Sequence, residues 1–120
     1  MGRVGFVTHG NATILKVDLS HLANVEDSIA TLKEARTLIA KQPPHSVRLL
    51  TDVTGAAFNP KGVEELKHYS TFVTPYVKAS AAIGISGLGR VIFDAVLKLI
   101  GRNIASFETE SEALDWLGHH

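Results

Sequence analysis

Residues Arg48 to Gly62, RLLTDVTGAAFNPKG, place a strand, a polar turn and a helix start in immediate succession, and that succession leaves few architectures open. Val47, Leu49, Leu50 and Val53 make a short apolar run, partly β-branched, of the kind that suits a strand covered on both faces. Asp52 and Thr54 fall at its carboxyl end, and Gly55 permits a turn with positive φ. Asn59-Pro60 then reads as an N-cap followed by proline at the first helical position. A site at this strand end is suggested, but no reaction.

The rest of the chain repeats the alternation. Val4 to Val7 and Ala12 to Val17 are β-prone runs joined by His9-Gly10-Asn11, which predicts an opening hairpin. Asn24 caps a first helix, acidic in its first turn at Glu26 and Asp27, with Val25, Ile29, Leu32 and Ile39 at helical spacing until Pro43-Pro44 stops it. The strand at Val47 to Val53 follows. A second helix from about Pro60 turns Val63, Leu66, Ser70, Val73 and Val77 to one face, while Tyr69, Phe72 and Tyr76 project along its flank. Pro75 removes a backbone donor, so a kink or an end near Phe72 is expected.

Ala79 to Ile85 is a further strand, and Ser86-Gly87-Leu88-Gly89-Arg90 leads into a third helix. On that helix Arg90, Asp94 and Lys98 form one narrow polar stripe, and apolar residues including Leu88, Phe93 and Leu97 fill an arc of about 240°. A helix lying on a sheet needs far less. The surplus fits three readings: a pocket for a lipophilic molecule, a homodimer interface, or a larger core. Asn103 to Phe107 makes the last strand, and Thr109 with Glu112 forms a capping box for a final helix carrying Ala113, Leu114, Trp116 and Leu117. The order is ββαβαβαβα, which implies a single α/β domain with right-handed crossovers and a mainly parallel sheet.

Composition narrows the function. With 120 residues, twelve basic and twelve acidic, and the basic ones scattered, the chain lacks the electrostatic footprint of a nucleic-acid binder. Having no cysteine, it has no disulfide, thiol nucleophile or cysteine-based metal site, which suits a reducing cytoplasm, the expected location. No apolar run approaches the ~20 residues that span a bilayer. His9, His21, His45 and His68 fall on different elements without metal-ligand spacing, and Asp52 with His68 has no nucleophile motif beside it. Neither catalysis nor a cofactor is expected.

Three stretches carry a resemblance: Asp-Val-Thr-Gly at 52–55, the Ala-Ala-Ile-Gly strand with its Gly-Leu-Gly-Arg helix start at 87–90, and the closing Gly-Arg-Asn-Ile-Ala-Ser-Phe-Glu-Thr-Glu-Ser-Glu-Ala-Leu-Asp-Trp-Leu at 101–117. Together with the element order they resemble the STAS-like, SpoIIAA-like family over nearly the whole chain. The resemblance implies a mixed sheet of about five strands with four helices, and two functions. One is binding of a hydrophobic or amphipathic small molecule, a lipid for example, at a membrane surface or away from it. The other is a protein-interaction module of the partner-switching type found in anti-sigma-factor antagonists. Those antagonists carry a phosphorylatable serine in Asp-Ser-Ser-Gly, where this chain reads Asn59-Pro60-Lys61-Gly62 and has no serine. For the first function the expected apolar residues are Tyr69, Phe72, Tyr76, Phe93 and Leu97. The expected polar or anion-binding group is Asp52, Thr54, Ser86 and Arg90, at the carboxyl ends of the strands beside a glycine-rich helix start.

Overall fold

The computed structural model describes residues 3–101 and 103–120; Met1, Gly2 and Arg102 lie outside the described residues, and Leu88 is described by its backbone. Strands β1 (Val4–His9) and β2 (Ala12–Asp18) form an antiparallel hairpin turned by Gly10 at φ 60°. Helix α1 (Val25–Ile39) leads to β3 (Val47–Asp52), α2 (Pro60–Val73) to β4 (Val77–Ile83), and α3 (Leu88–Ile100) to β5 (Ala105–Phe107). Helix α4 (Glu110–Gly118) ends the chain.

Local chemistry sets most of these limits. The Asn24 side chain accepts from the Glu26 N–H and the Asn59 side chain from the Gly62 N–H, each supplying a partner to a helix donor that has none within its own helix. Thr109 and Glu112 exchange side-chain and backbone bonds in a complete capping box. Pro75 ends α2 at Val73 and turns Thr74–Tyr76 into a single 3₁₀ turn. That tight turn starts β4 at Val77, two residues earlier than the Ala79 expected from sequence. The strand also ends earlier, at Ile83, because Gly84 takes φ 82° and breaks the extended run. Strand β5 begins at Ala105, later than the expected Asn103.

Spatial order follows chain order, β1-β2-β3-β4-β5, with every pair after the hairpin parallel. Right-handed crossovers stepping in one direction put α1, α2 and α3 on the same face of the sheet. The other face is left to α4, which lies across all five strands. Two cores result. Leu15, Val17, Leu49 and Val77 meet Leu32 and Ile39 of α1 and Tyr69 and Val73 of α2; Ile14, Leu50, Ala81 and Ile83 meet Ala113 and Leu117 of α4. Leu117 is fully buried, and enclosing such a side chain contributes about 2 kcal/mol. Tyr69 is 3% exposed and belongs to the first core, whereas the sequence placed it on a flank of α2. The buried arc of α2 is thus wider on that side than aliphatic spacing indicated, because an aromatic ring reaches the sheet from a position that a leucine would leave at the edge.

Candidate functional site

The site is built from the segments that leave the carboxyl ends of β3 and β4. After β3 the chain is pinned from both sides: Val53 N–H donates to Ile83 O at 2.9 Å, and His21 N–H donates to Thr54 O at 2.7 Å. Gly84 passes so close that a Cβ there would lie 2.6 Å from the Thr54 backbone, and its φ of 82° favours glycine independently. These loops form a fixed wall. Helix α3 is held differently. Gly87 at φ 53° precedes it without a side-chain cap, Gly101 in the left-handed region ends it, and α2 is its principal neighbour.

Between α3, α2 and the sheet lies an apolar slot of about 70 Å³. Its floor is Leu49 and Thr51 of β3 with Ser80 and Ala82 of β4, its wall Leu66 and Tyr69, its roof Ile92, Phe93 and Val96. The slot exists because β4 offers serine and alanine where a parallel strand under a helix ordinarily offers larger side chains. It shares Val53, Phe58, Ile85 and Gly89 with a hollow of about 190 Å³, which in turn shares Gly55, Gly84 and Ser86 with an outer crevice of about 500 Å³. The crevice is mixed, with Thr54, Ser86, Arg90, Ser106 and Glu108 beside the apolar Ile85 and Phe107. Arg90 lines it, donating through Nη2 to Ser106 Oγ at 3.4 Å with its guanidinium 5.4 Å from the Phe93 ring centroid. Three adjoining hollows with shared walls therefore lead from an apolar interior to a partly polar rim with an exposed cation.

The structure brings some of the expected residues to these hollows and not others. Tyr69 and Phe93 line the slot; Thr54, Ser86 and Arg90 line the crevice. Asp52 lies elsewhere, since side chains alternate along a strand and its neighbour Thr51 faces the slot. Its carboxylate accepts from Thr54 N–H at 3.0 Å. Phe72 sits outside, 37% exposed, under the Arg36 guanidinium at 4.5 Å and 6.0 Å from the Tyr76 ring. Tyr76, carried off the helix by the 3₁₀ turn, packs against the α1 core. Leu97, about 100° round α3 from Val96, flanks the slot without lining it. Sequence reasoning missed the floor: Thr51, Ser80 and Ala82. Their small size was the available signal, because a run such as Ala-Ser-Ala-Ala in a covered strand leaves space above it.

On the opposite face, Lys16 of β2 donates to Glu110 of α4 at 2.8 Å, and this bond raises the lysine above its ordinary pKa. Burial pushes the Asp18 carboxyl up, but two bonds from Ser20 and the nearby Arg3 outweigh it and hold the group below its ordinary value. Among the described residues no group of three or more His, Asp or Glu is placed to hold a metal ion, and no helix is long and apolar enough to cross a membrane. At the start of α2, where a switch serine would stand, Lys61 pairs with Glu26 of α1 at 3.1 Å. Gly62 is there for close packing: a Cβ would lie 2.9 Å from Val25.

Compared with solved structures, the chain is similar to an uncharacterized protein of the DUF3478 family with a SpoIIAA-like fold from Shewanella loihica PV-4, with a TM-score of 0.75 over 95% of this chain and 91% of that one. This chain has a SpoIIAA-like fold. At 17% sequence identity the likeness establishes the SpoIIAA-like architecture, including the mostly parallel five-stranded sheet and four helices expected from sequence. No protein-family model matches the chain, and no curated protein matches it significantly.

Proposed function

We propose that this SpoIIAA-like chain binds an amphipathic molecule without transforming it, holding an apolar tail beneath α3 and a polar head at the crevice of Ser86, Arg90, Ser106 and Glu108. The observation that carries this reading is the adjacency of an apolar slot, a hollow and a partly polar crevice that share their walls. Ligand sites of drug size enclose roughly 300–1,000 Å³, so a slot of about 70 Å³ is too small for such a tail as it stands. Loading requires α3 to lift. Two positive-φ glycines at its ends, each with open space where a Cβ would stand, supply the freedom for that motion. Filling the slot removes apolar side-chain surface from water.

Lys61 in an ion pair where a switch serine would stand argues against the partner-switching alternative. The test is native mass spectrometry of protein purified from cells, with the bound material extracted into organic solvent and identified. An amphipathic adduct lost on Phe93→Asp substitution is expected. Protein that emerges unoccupied and also fails to bind phospholipid vesicles would overturn the proposal.

A further inference from the structure

The two edges of the sheet are unlike. Strand β5 is three residues long, which is one of the ways in which proteins keep an edge from templating another strand. Strand β1 is six residues long and pairs with β2 without a bulge. Between Arg3 and His9 it carries no charge and no proline, the usual blocks to edge pairing. Asp18 N–H donates to Arg3 O at 2.7 Å, so with the observed register Arg3, Gly5, Val7 and His9 turn their backbone groups toward β2. Val4, Phe6 and Thr8 turn theirs outward. Phe6 is also 48% exposed.

We infer that β1 pairs antiparallel with β1 of a second copy of this chain, about a two-fold axis at Phe6, to make one continuous sheet through both subunits. In that register Val4 meets Thr8 of the second copy and Phe6 meets Phe6, each pair exchanging two backbone bonds from groups that are otherwise outward-facing. The intervening pair is Gly5 with Val7. Such non-hydrogen-bonded pairs bring side chains closest, and here a valine faces a residue with none. A Cβ built on Gly5 meets nothing within 4 Å, and a hollow of about 260 Å³ lined by Arg3, Gly5, Val7 and Lys16 stands beside it. The valine of the second copy enters that hollow. The interface is self-complementary in hydrogen bonding and size, and it is independent of the ligand reading because β1 is remote from α3 in the sheet order.

The experiment is sedimentation velocity with light scattering on delipidated protein, together with amide hydrogen exchange. Expected is a dimer whose Val4, Phe6 and Thr8 amides are protected. Thr8→Pro removes an outward N–H that only the dimer uses, and proline is tolerated on an edge strand where the N–H faces solvent; it should weaken association by at least about tenfold. Phe6→Lys should do the same, with exchange at the three amides becoming fast. Val91→Lys with Leu99→Lys, on the exposed side of α3, should leave the dimer unchanged. A monomer at all concentrations, a dimer that survives Thr8→Pro, or one dissolved by the α3 pair overturns the inference. So does a monomer whose β1 amides are protected only when a foreign extended peptide is added.

Discussion

At the scale of single residues, the clearest energetic statement concerns Asp18. Its carboxylate collects the Ser20 N–H and hydroxyl, and these bonds with Arg3 outweigh the cost of burial, so its pKa in the fold lies below its ordinary 3.8. A group depressed in this way stabilises the fold fully above its unfolded pKa, and that contribution is lost as pH falls through the folded value. Asp18→Asn removes the titrating group. The loss of stability on acidification should therefore be shallower in the variant than in the parent, while at neutral pH the variant is the less stable of the two. Urea unfolding midpoints from roughly pH 2 to 6 check this. Parallel acid limbs would show that Asp18 carries no such linkage.

Residues that act through local chemistry were legible before the structure. Asn24, Asn59, Thr109 and Glu112 cap what they were expected to cap, because a cap is settled within four residues of chain. Asp52 and Tyr69 were not legible in the same way. In a strand covered on both faces, an apolar run shows no alternation from which to read parity, so nothing local says that Thr51 faces one helical layer and Asp52 the other.

At the scale of elements, α3 is set apart. The sequence showed its apolar arc to be too wide for a helix on a sheet, and the structure accounts for the excess in two parts. Phe93, Ile92 and Val96 face a slot that is incompletely filled, and Val91 and Leu99 face outward at 65% and 54% exposure. Neither part was separable from a helical wheel, which gives angle but not the distance to the layer below. Contact with α2 and glycines at both ends predict that α3 opens at lower free energy than its neighbours. Amide exchange measured residue by residue should show Ile92 to Leu99 exchanging at least about tenfold faster than Leu32 to Ile39 of α1. Equal protection would mean that α3 is bound as firmly as the core and cannot serve as a cover.

At the scale of the whole molecule, element order was readable but the layering was not. Periodicity identifies strands and helices one at a time, whereas the β1-β2-β3-β4-β5 order follows from which strands pair across long loops. Once that order is known, the handedness of crossovers places three helices together and leaves the opposite face to α4. The consequence is a crowded face with a flaw in it. Thr51, Ser80 and Ala82 are too small to fill the space that α2 and α3 leave, and a tightly packed interior would close the gap with larger side chains.

Retaining the gap makes sense if occupancy matters more than maximal stability, and that trade can be measured. Ala82→Val adds two methyl groups pointing into the slot from a strand, where a β-branched residue is favoured. Burying that extra surface in an existing void should raise unfolding stability by about 1 kcal/mol, since each buried methylene is worth roughly 0.8 kcal/mol and some of the gain is lost to imperfect fit. The same change removes the space a tail would enter, so adducts in native mass spectra should fall. Stability and uptake thus move in opposite directions under one substitution. A variant that is less stable than the parent would mean that the slot is already closed by repacking. One that is stabilised yet retains its full adduct would place the ligand somewhere other than beneath α3.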